Sequence, residues 1–378
     1  MLNKRKITLF YGTRPEFIKL IPLIRVLQNN HSNDIDCTVV STGQHKQLLE
    51  PIEKEFKIKP HANLAFLQQA PTLESTVSFG IQAISNYFKE KSTDVAIGVG
   101  DTTTGLVTAL GSFLNKIPFV HIEAGMRSHS KYSPFPEEIF RKIMTPLASL
   151  HLCPSSIEYN NLLKENVKKD LVYITGNTVI DTLLTALKKP YPIERYLAKI
   201  IKKSDRNKKI ILVTQHRREN FGKNHTEIFL AIKNILRMHP DYIGILPVHY
   251  NPAVRSLAHT IFQSTPSMYI TEPLSYFPFA HLMAKSKLII TDSGGLQEEA
   301  PSLGIPVLVT RTTTERPLTI SSGKGFLVGT DENEILKRFI QIKSKWDYQN
   351  TQNPYGDGKA AQKCAEIILT QYEKYKHS

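Results

Sequence analysis

Cysteine is scarce in this chain and poorly placed for chemistry. The three that occur, Cys37, Cys153 and Cys364, are odd in number and widely spaced. They form neither a disulfide framework nor a metal-ligand spacing, and a reducing compartment is expected. Long apolar runs are missing too: none approaches the roughly 18 residues of a membrane span. The basic opening "MLNKRKITLFYGTRPE" breaks its apolar run at Gly12, too soon for a signal peptide. A cytosolic (cytoplasmic) protein with no membrane partner is expected. No Gly-x-Ser-x-Gly elbow, Walker sequence or zinc helix occurs, which removes several common enzyme classes. Zinc-finger spacing, an RNP motif and an Arg-rich helix are also lacking. The net charge of +14 is therefore read as solvated lysines, scattered or gathered in connectors such as "AKIIKKSDRNKK" (198–209). Such a surface attracts anionic ligands in general and does not call for a nucleic-acid partner.

At 378 residues the chain is long for one core, so two domains are expected. Its composition, 41% hydrophobic and 22% charged, is that of a soluble globular protein. Short β-rich runs alternate with helical patterns: "KITLFYG" (6–12), "PEFIKLIPLIRVLQNN" (15–30), "DCTVVSTG" (36–43), "DVAIGVG" (94–100) and "IPFVHIEAG" (117–125). In the second of these, Phe17, Ile18, Ile21, Ile24 and Val26–Leu27 follow a 3.6-residue period, with Pro15 in the first turn. A second series follows the polar stretch near 190–209: "KIILVTQ" (209–215), "IGILPVH" (243–249), "MYITEP" (268–273), "KLIITDSGG" (287–295), "PVLVT" (306–310) and "GFLVGT" (325–330). Strand–helix–strand repetition predicts parallel sheets with helices on both faces. The fold class is α/β, with two Rossmann-like domains whose sheets face a cleft. The domains are expected at 1–180 and 181–359, with a C-terminal helix at 360–378 packing back on the first.

Each candidate for chemistry has two readings. In "YGTRPEFIK" (11–19), Arg14 and Lys19 near a helix start either meet phosphate or are surface cations. In "TDSGGLQEEAPSLG" (291–304), Ser293, Gly294 and Gly295 let backbone N–H groups approach phosphate, and Glu299 reaches for a ribose hydroxyl pair. The alternative is a capped helix with Glu298 and Glu299 solvated. His216 in "VTQHRRENFG" (213–222) follows the first strand of the second half, beside Arg217, Arg218 and Glu219. It is an acid, a base, a phosphate donor or simply structural. "HIEAGMRS" (121–128) and "YSPFPEEIFRK" (132–142) carry Glu123, Arg127, Glu137, Glu138 and Arg141. A carboxylate after an apolar strand, as at Glu123, must be paired or useful. Glu137 at a helix start gains from the dipole in any case, and Arg127 and Arg141 are the expected ion-pair partners. Asp101 in "GVGDTTTG" (98–105) is either a helix cap or a further carboxylate at the cleft. Proton transfer on both sides of one carbon requires such a group on each face.

Taken in order, "GTRPEFIK", "TGQHKQLLE", "GDTTTG", "HIEAGMRS", "YSPFPEE", "TGNTVIDTLL", "HRRENFG", "PVHYNP", "TDSGGLQEEAPSLG", "TTERP" and "NPYGDG" resemble the motif set of the non-hydrolysing UDP-N-acetylglucosamine 2-epimerases, from about residue 6 to about residue 370. The resemblance implies a fold similar to the B-type glycosyltransferases, a homodimer, a UDP-sugar substrate, and no metal or nicotinamide cofactor. By motif position Asp101, Glu123, Glu137 and His216 match the catalytic set. Arg14, Lys19, His249, Phe279, Ser293, Gly294, Gly295, Glu299 and Arg316 match positions around uracil, ribose and diphosphate, and Arg141 joins the substrate-binding group. Gln44, His45 and Gln47 fit a second site at which UDP-GlcNAc activates many bacterial members. Where those members carry an arginine, "FLQQAPTL" (66–73) has none, which argues against activation here. "EEIFRK" and "RTTTERPLT" depart from the commoner "EEANR" and "RDTTERPEA" at Ile139–Phe140, Thr312 and Leu318. These changes leave room for a 2,3-diacetamido uronic acid nucleotide as substrate. A hydrolysing epimerase releasing UDP and free ManNAc is the other alternative.

Overall fold

Strands form where β-branched and aromatic residues run unbroken, because a parallel sheet covered on both faces buries every side chain. Val95–Val99, for example, is buried at all five positions. The computed structural model describes residues 4–43, 46–66, 72–217 and 220–376. Gln44, His45 and the side chain of Gln47 lie outside the described residues, as do Arg218 and Glu219.

The chain divides into two units, Met1–Thr182 with Tyr355–Ser378, and Leu183–Pro354. The first holds β1 (Arg5–Tyr11), β2 (Ile35–Ser41), β3 (Ala62–Asn63), β4 (Val95–Val99), β5 (Phe119–Ile122), β6 (Leu150–Cys153) and β7 (Val172–Ile174). They lie in the order β3-β2-β1-β4-β5-β6-β7, every pair parallel. The second unit holds β8 (Lys209–Thr214), β9 (Tyr242–Pro247), β10 (Met268–Thr271), β11 (Ser286–Thr291), β12 (Val307–Val309) and β13 (Gly325–Leu327). Their order is β10-β9-β8-β11-β12-β13, again all parallel.

Both sheets reverse their build-up beside the first strand of the unit. β1 lies between β2 and β4, and β8 between β9 and β11. At such a switch point adjacent loops diverge to opposite faces and open a crevice at the carboxyl ends of the strands. Gly12–Arg14 leave β1 and Gly100–Asp101 leave β4; His216 follows β8 and Asp292–Ser293 follow β11. Arg14 and Asp101 in the first unit, and His216 and Ser293 in the second, thus lie at the switch points.

Each sheet has its own core. In the first unit Phe10 meets Tyr87 and Phe88 edge-on at 5.7 and 5.6 Å, within a cluster that includes Phe119, Phe140 and Met144. In the second, Ile211, Val213, Phe229, Ile232, Phe262 and Phe339 are buried together. Burying one such side chain stabilises by about 1.5–3 kcal/mol. The helix Ala360–Thr370 packs on the helix Arg14–Asn30 in the first unit. Its free amides are met by buried Asp181, which accepts from Ala360 N at 3.2 Å and Ala361 N at 2.9 Å. Burial pushes the Asp181 carboxyl up to about 6 against those hydrogen bonds.

Candidate functional site

In the first unit the loop after β1 ends in a capping box. Thr13 caps the helix Arg14–Asn30, and its N3 residue is Glu16. The Glu16 carboxylate accepts from Gly12 N at 3.0 Å, Thr13 N at 2.7 Å and Thr13 Oγ1 at 2.8 Å. Its other oxygen accepts from Thr102 Oγ1. One buried carboxylate therefore joins the loops leaving β1 and β4. Burial raises its pKa, opposed by these donors. Arg14 is half-buried as the first helical residue.

Thr102, and not Asp101, caps the helix Thr103–Leu114, accepting from Gly105 N at 3.2 Å. The capping reading of Asp101 is thus corrected, and its carboxylate is turned instead to Arg141. Asp101 Oδ2 accepts from Arg141 Nε at 2.8 Å and also from Nη2. Arg141 Nη1 donates to Glu138 Oε2 at 3.1 Å, and Glu138 accepts from Ser128 N and His129 N at 2.9 and 3.2 Å. Burial opposes ionisation of Glu138, but the Ser128 amide and the Arg141 guanidinium hold its pKa below the usual range. Arg127 pairs with Glu165, Nε to Oε1 at 2.7 Å and Nη2 to Oε2 at 2.6 Å. The expected ion pairing is met at Arg141, which engages Asp101 and Glu138, whereas register turns Arg127 to Glu165.

Glu123 leaves β5 with φ +62, a left-handed conformation uncommon for a residue with a Cβ. Such strain persists where surrounding contacts over-determine it, and it clusters at functional sites. Glu123 Oε1 accepts from Lys19 Nζ and from Asn177 Nδ2, the latter at 3.0 Å. Lys19, one of the residues matched to the nucleotide, is thus engaged with a carboxylate of its own unit. Glu137 is half-buried and opens the helix Glu137–Leu147. Phe140 on that helix is buried beside Phe119 and Met144, so its departure from the commoner motif is a packing change.

In the second unit His216 Nδ1 lies 2.9 Å from Oδ1 of fully buried Asp292, while the His216 side chain keeps 38% exposure. Asp292 Oδ2 accepts from His216 N and Arg217 N, both at 2.9 Å, and from Asn220 Nδ2 at 3.4 Å. Burial alone would raise the Asp292 pKa. The hydrogen bond from His216, the His225 ring 4.0 Å away and the Arg217 amide drive it well below the usual carboxylate range. This arrangement fixes the imidazole with Nε2 outward. The His249 ring stands 6.0 Å from that of His216, and burial, then His216, lower the His249 pKa.

Ser293 precedes the short helix Gly294–Glu299. A Cβ on Gly294 would fall 2.5 Å from Arg316 Cζ, so only glycine lets the guanidinium lie against the loop. Arg316 Nε donates to Glu298 Oε1 at 3.0 Å and Nη1 donates to Glu315. Glu315 also pairs with Arg311 at 2.7 Å and Arg217 at 3.7 Å. Burial opposes its charge, but Arg316, Arg311 and Arg217 hold its pKa far down. Glu299 accepts from Tyr276 OH at 2.6 Å. Neither Glu298 nor Glu299 is solvated, since both lie inside the unit. Phe279 is half-buried on the helix Tyr276–Lys285, and Gly295 follows Gly294 in the first turn of its helix.

Sequence reasoning missed Glu16, Asn177, Asp292 and Glu315 as parts of these networks. The T-x-x-E spacing of Thr13 and Glu16 was a usable signal for the first. For Asn177 and Asp292 no local pattern distinguishes a buried acceptor or donor from a turn residue. Among the described residues no group of three or more His, Cys, Asp or Glu is placed to hold a metal ion.

The UDP-N-acetylglucosamine 2-epimerase family profile matches residues 27–369. The UDP-N-acetylglucosamine 2-epimerase of Bacillus subtilis (strain 168) is 40% identical over 377 residues, covering 98% of this chain and 97% of that protein. The crystal structure of the Neisseria meningitidis UDP-GlcNAc 2-epimerase bound to UDP-GlcNAc superposes with a TM-score of 0.89 at 38% identity, over 96% of this chain and 99% of that one. The Methanocaldococcus jannaschii UDP-GlcNAc 2-epimerase, solved with UDP-GlcNAc and UDP, gives 0.83 at 30% identity, over 96% and 99%. The fold class expected from the sequence, paired Rossmann-like units of the B-type glycosyltransferase kind, holds. Matched along almost its whole length in sequence and in fold, the chain belongs to the UDP-N-acetylglucosamine 2-epimerase family.

Proposed function

We propose that this chain interconverts UDP-N-acetylglucosamine and UDP-N-acetylmannosamine by inverting C2, without metal, nicotinamide or net hydrolysis. One observation carries the reading. Two carboxylates, Asp101 and Glu123, end the neighbouring strands β4 and β5, and each is held by a cation of its own, Arg141 and Lys19.

The C2 proton of the sugar is not acidic enough to be removed alone. Coupling its loss to departure of UDP solves this. A carboxylate takes the proton, the C–H electron pair becomes a C1=C2 double bond, and the C1–O bond leaves with the diphosphate. UDP then re-adds at C1 while a second acid protonates C2 from the opposite face. Asp101, Glu123 and Glu137 are the acid/base candidates, and a group on each face is what inversion requires. The second unit carries the groups suited to the leaving diphosphate: His216 backed by Asp292, Arg316, and the amides of Ser293–Gly295. Preorganised donors of this kind cost no reorganisation as charge develops. Arg14, His249, Phe279 and Glu299 complete the nucleotide set in this reading.

Incubation with UDP-GlcNAc in D2O, followed by NMR, tests it. UDP-ManNAc is expected, with deuterium at C2 of both sugars and no accumulation of UDP. Substrate returned unlabelled refutes the proposal, and free UDP with ManNAc points to the hydrolysing reaction.

The chain also fits a homodimer. Phe79, Phe113, Leu114 and Ile143 are 43, 60, 58 and 42% exposed, on three helices packed side by side. Large apolar side chains left exposed on adjoining helices suit an interface. Sedimentation is expected to show a dimer that Phe113→Lys with Leu114→Lys breaks; a wild-type monomer rules it out.

A further inference from the structure

The groups around Glu123 say more than that it is paired. Lys19 Nζ and Asn177 Nδ2 both bind the same oxygen, Oε1. Oε2 has no hydrogen-bond partner among the described residues. It lies against the backbone of Gly100, where a Cβ would fall 3.2 Å from it. That is the residue immediately before Asp101, so Oε2 is the oxygen beside the loop that carries the other carboxylate.

Asn177 is buried, and its amide has one orientation only. Its Oδ1 accepts from Val179 N at 3.1 Å in the first turn of the helix Thr178–Lys188, so its NH2 must face Glu123. Its backbone N–H donates to Tyr355 O at 2.8 Å, where the chain re-enters the first unit. Side chain and main chain are both tied down, and the donor is held rigid.

We infer that Asn177 is a positioning residue for proton transfer: with Lys19 it holds Oε1 of Glu123 as the fixed oxygen and leaves Oε2 to carry the proton. The inference rests on the epimerase reading above. In the eliminating direction the C2–H bond breaks and an Oε2–H bond forms, while the electron pair departs toward C1 and UDP leaves. On return the same O–H delivers its proton to carbon or to solvent. A hydrogen bond donated to a carboxylate favours its charged form. Asn177 therefore sets both the direction and the readiness of the base.

Two variants take the amide donor away from Glu123: Asn177→Ser leaves a shorter hydroxyl that can still cap Val179 N, and Asn177→Asp keeps the accepting oxygen and sets a like charge in place of the NH2. Expected for Asn177→Ser is a fall in kcat of about 10–100-fold, with KM within about twofold and the acid limb of the kcat profile about one pH unit higher. Asn177→Asp is expected to move the limb further, and UDP binding by calorimetry to stay at the wild-type value in both. Titration of the Glu123 carboxyl by 13C NMR, assigned with Glu123→Gln, is expected to rise in the same order. A wild-type kcat profile and an unmoved carboxyl titration in both variants overturn the inference. If the wild-type chain exchanges no deuterium at C2, the epimerase reading falls by itself. The carboxyl titration then still decides whether Asn177 clamps Glu123.

Discussion

Asp292→Asn changes one buried atom pair and should disable the imidazole beside it. Asp292 Oδ1 receives His216 Nδ1 at 2.9 Å, and Oδ2 receives the amides of His216 and Arg217, both at 2.9 Å. An asparagine has one oxygen for these donors. Placed on the two amides, it turns its NH2 toward His216 Nδ1, which must then give up its proton. Any positive charge the ring takes up during turnover loses its counter-charge as well. Opposite charges about 4 Å apart attract by about 4 kcal/mol near a protein surface. His216 is 38% exposed, so solvent screening reduces this. About 2 kcal/mol remains, a loss of roughly thirtyfold in kcat/KM. NMR assay of UDP-GlcNAc against UDP-ManNAc measures it directly. Unfolding reports the rest: imperfectly paired buried donors cost about 1–3 kcal/mol. The Asp292 pKa is depressed in the folded state, so its stabilisation is complete above the unfolded value of about 4 and is lost as pH falls below it. The stability gap between wild type and variant should therefore close in acid. A folded Asp292→Asn protein with wild-type kcat/KM would refute the reasoning.

Three further outcomes are expected. Asp101→Asn leaves the Thr102 cap untouched and Arg141 still bonded to Glu138, so it should fold, yet deuterium exchange at C2 should vanish; normal exchange removes Asp101 from the acid/base set. Gly294→Ala puts a methyl 2.5 Å from Arg316 Cζ and should push the guanidinium off Glu298, weakening UDP binding about tenfold, or about 1.4 kcal/mol, by calorimetry. Burial lowers the His121 pKa to about 4 and the His151 pKa to about 3. Both histidines fold neutral, so their stabilisation is full above the unfolded value of about 6.5 and is lost as pH falls toward those folded values. For His121 alone this amounts to about 3 kcal/mol, so urea midpoints should drop between pH 7 and pH 4, and His151→Leu should flatten the slope.

Local pattern alone fixes the layers of this protein and its list of candidate residues. Short β-branched apolar runs bounded by turn residues, such as Val95–Val99, read as interior strands, and the 3.6-residue spacing of Phe17, Ile21 and Ile24 reads as a helix lying on them. Ordered motifs carried the family, and the residues after strands carried the candidates. Which of those candidates touch was decided by tertiary structure. Lys19 and Glu123 are 104 residues apart, Asp101 and Arg141 40 apart, and His216 and Asp292 76 apart. Periods of two and 3.6 say which face a side chain takes, not which strand lies next to its own. Only the sheet orders, with β4 between β1 and β5 and β11 beside β8, bring those segments together. The same ordering decided the question over "GDTTTG": local pattern allowed Asp101 to cap a helix, while the folded chain gives that task to Thr102 and turns Asp101 to Arg141.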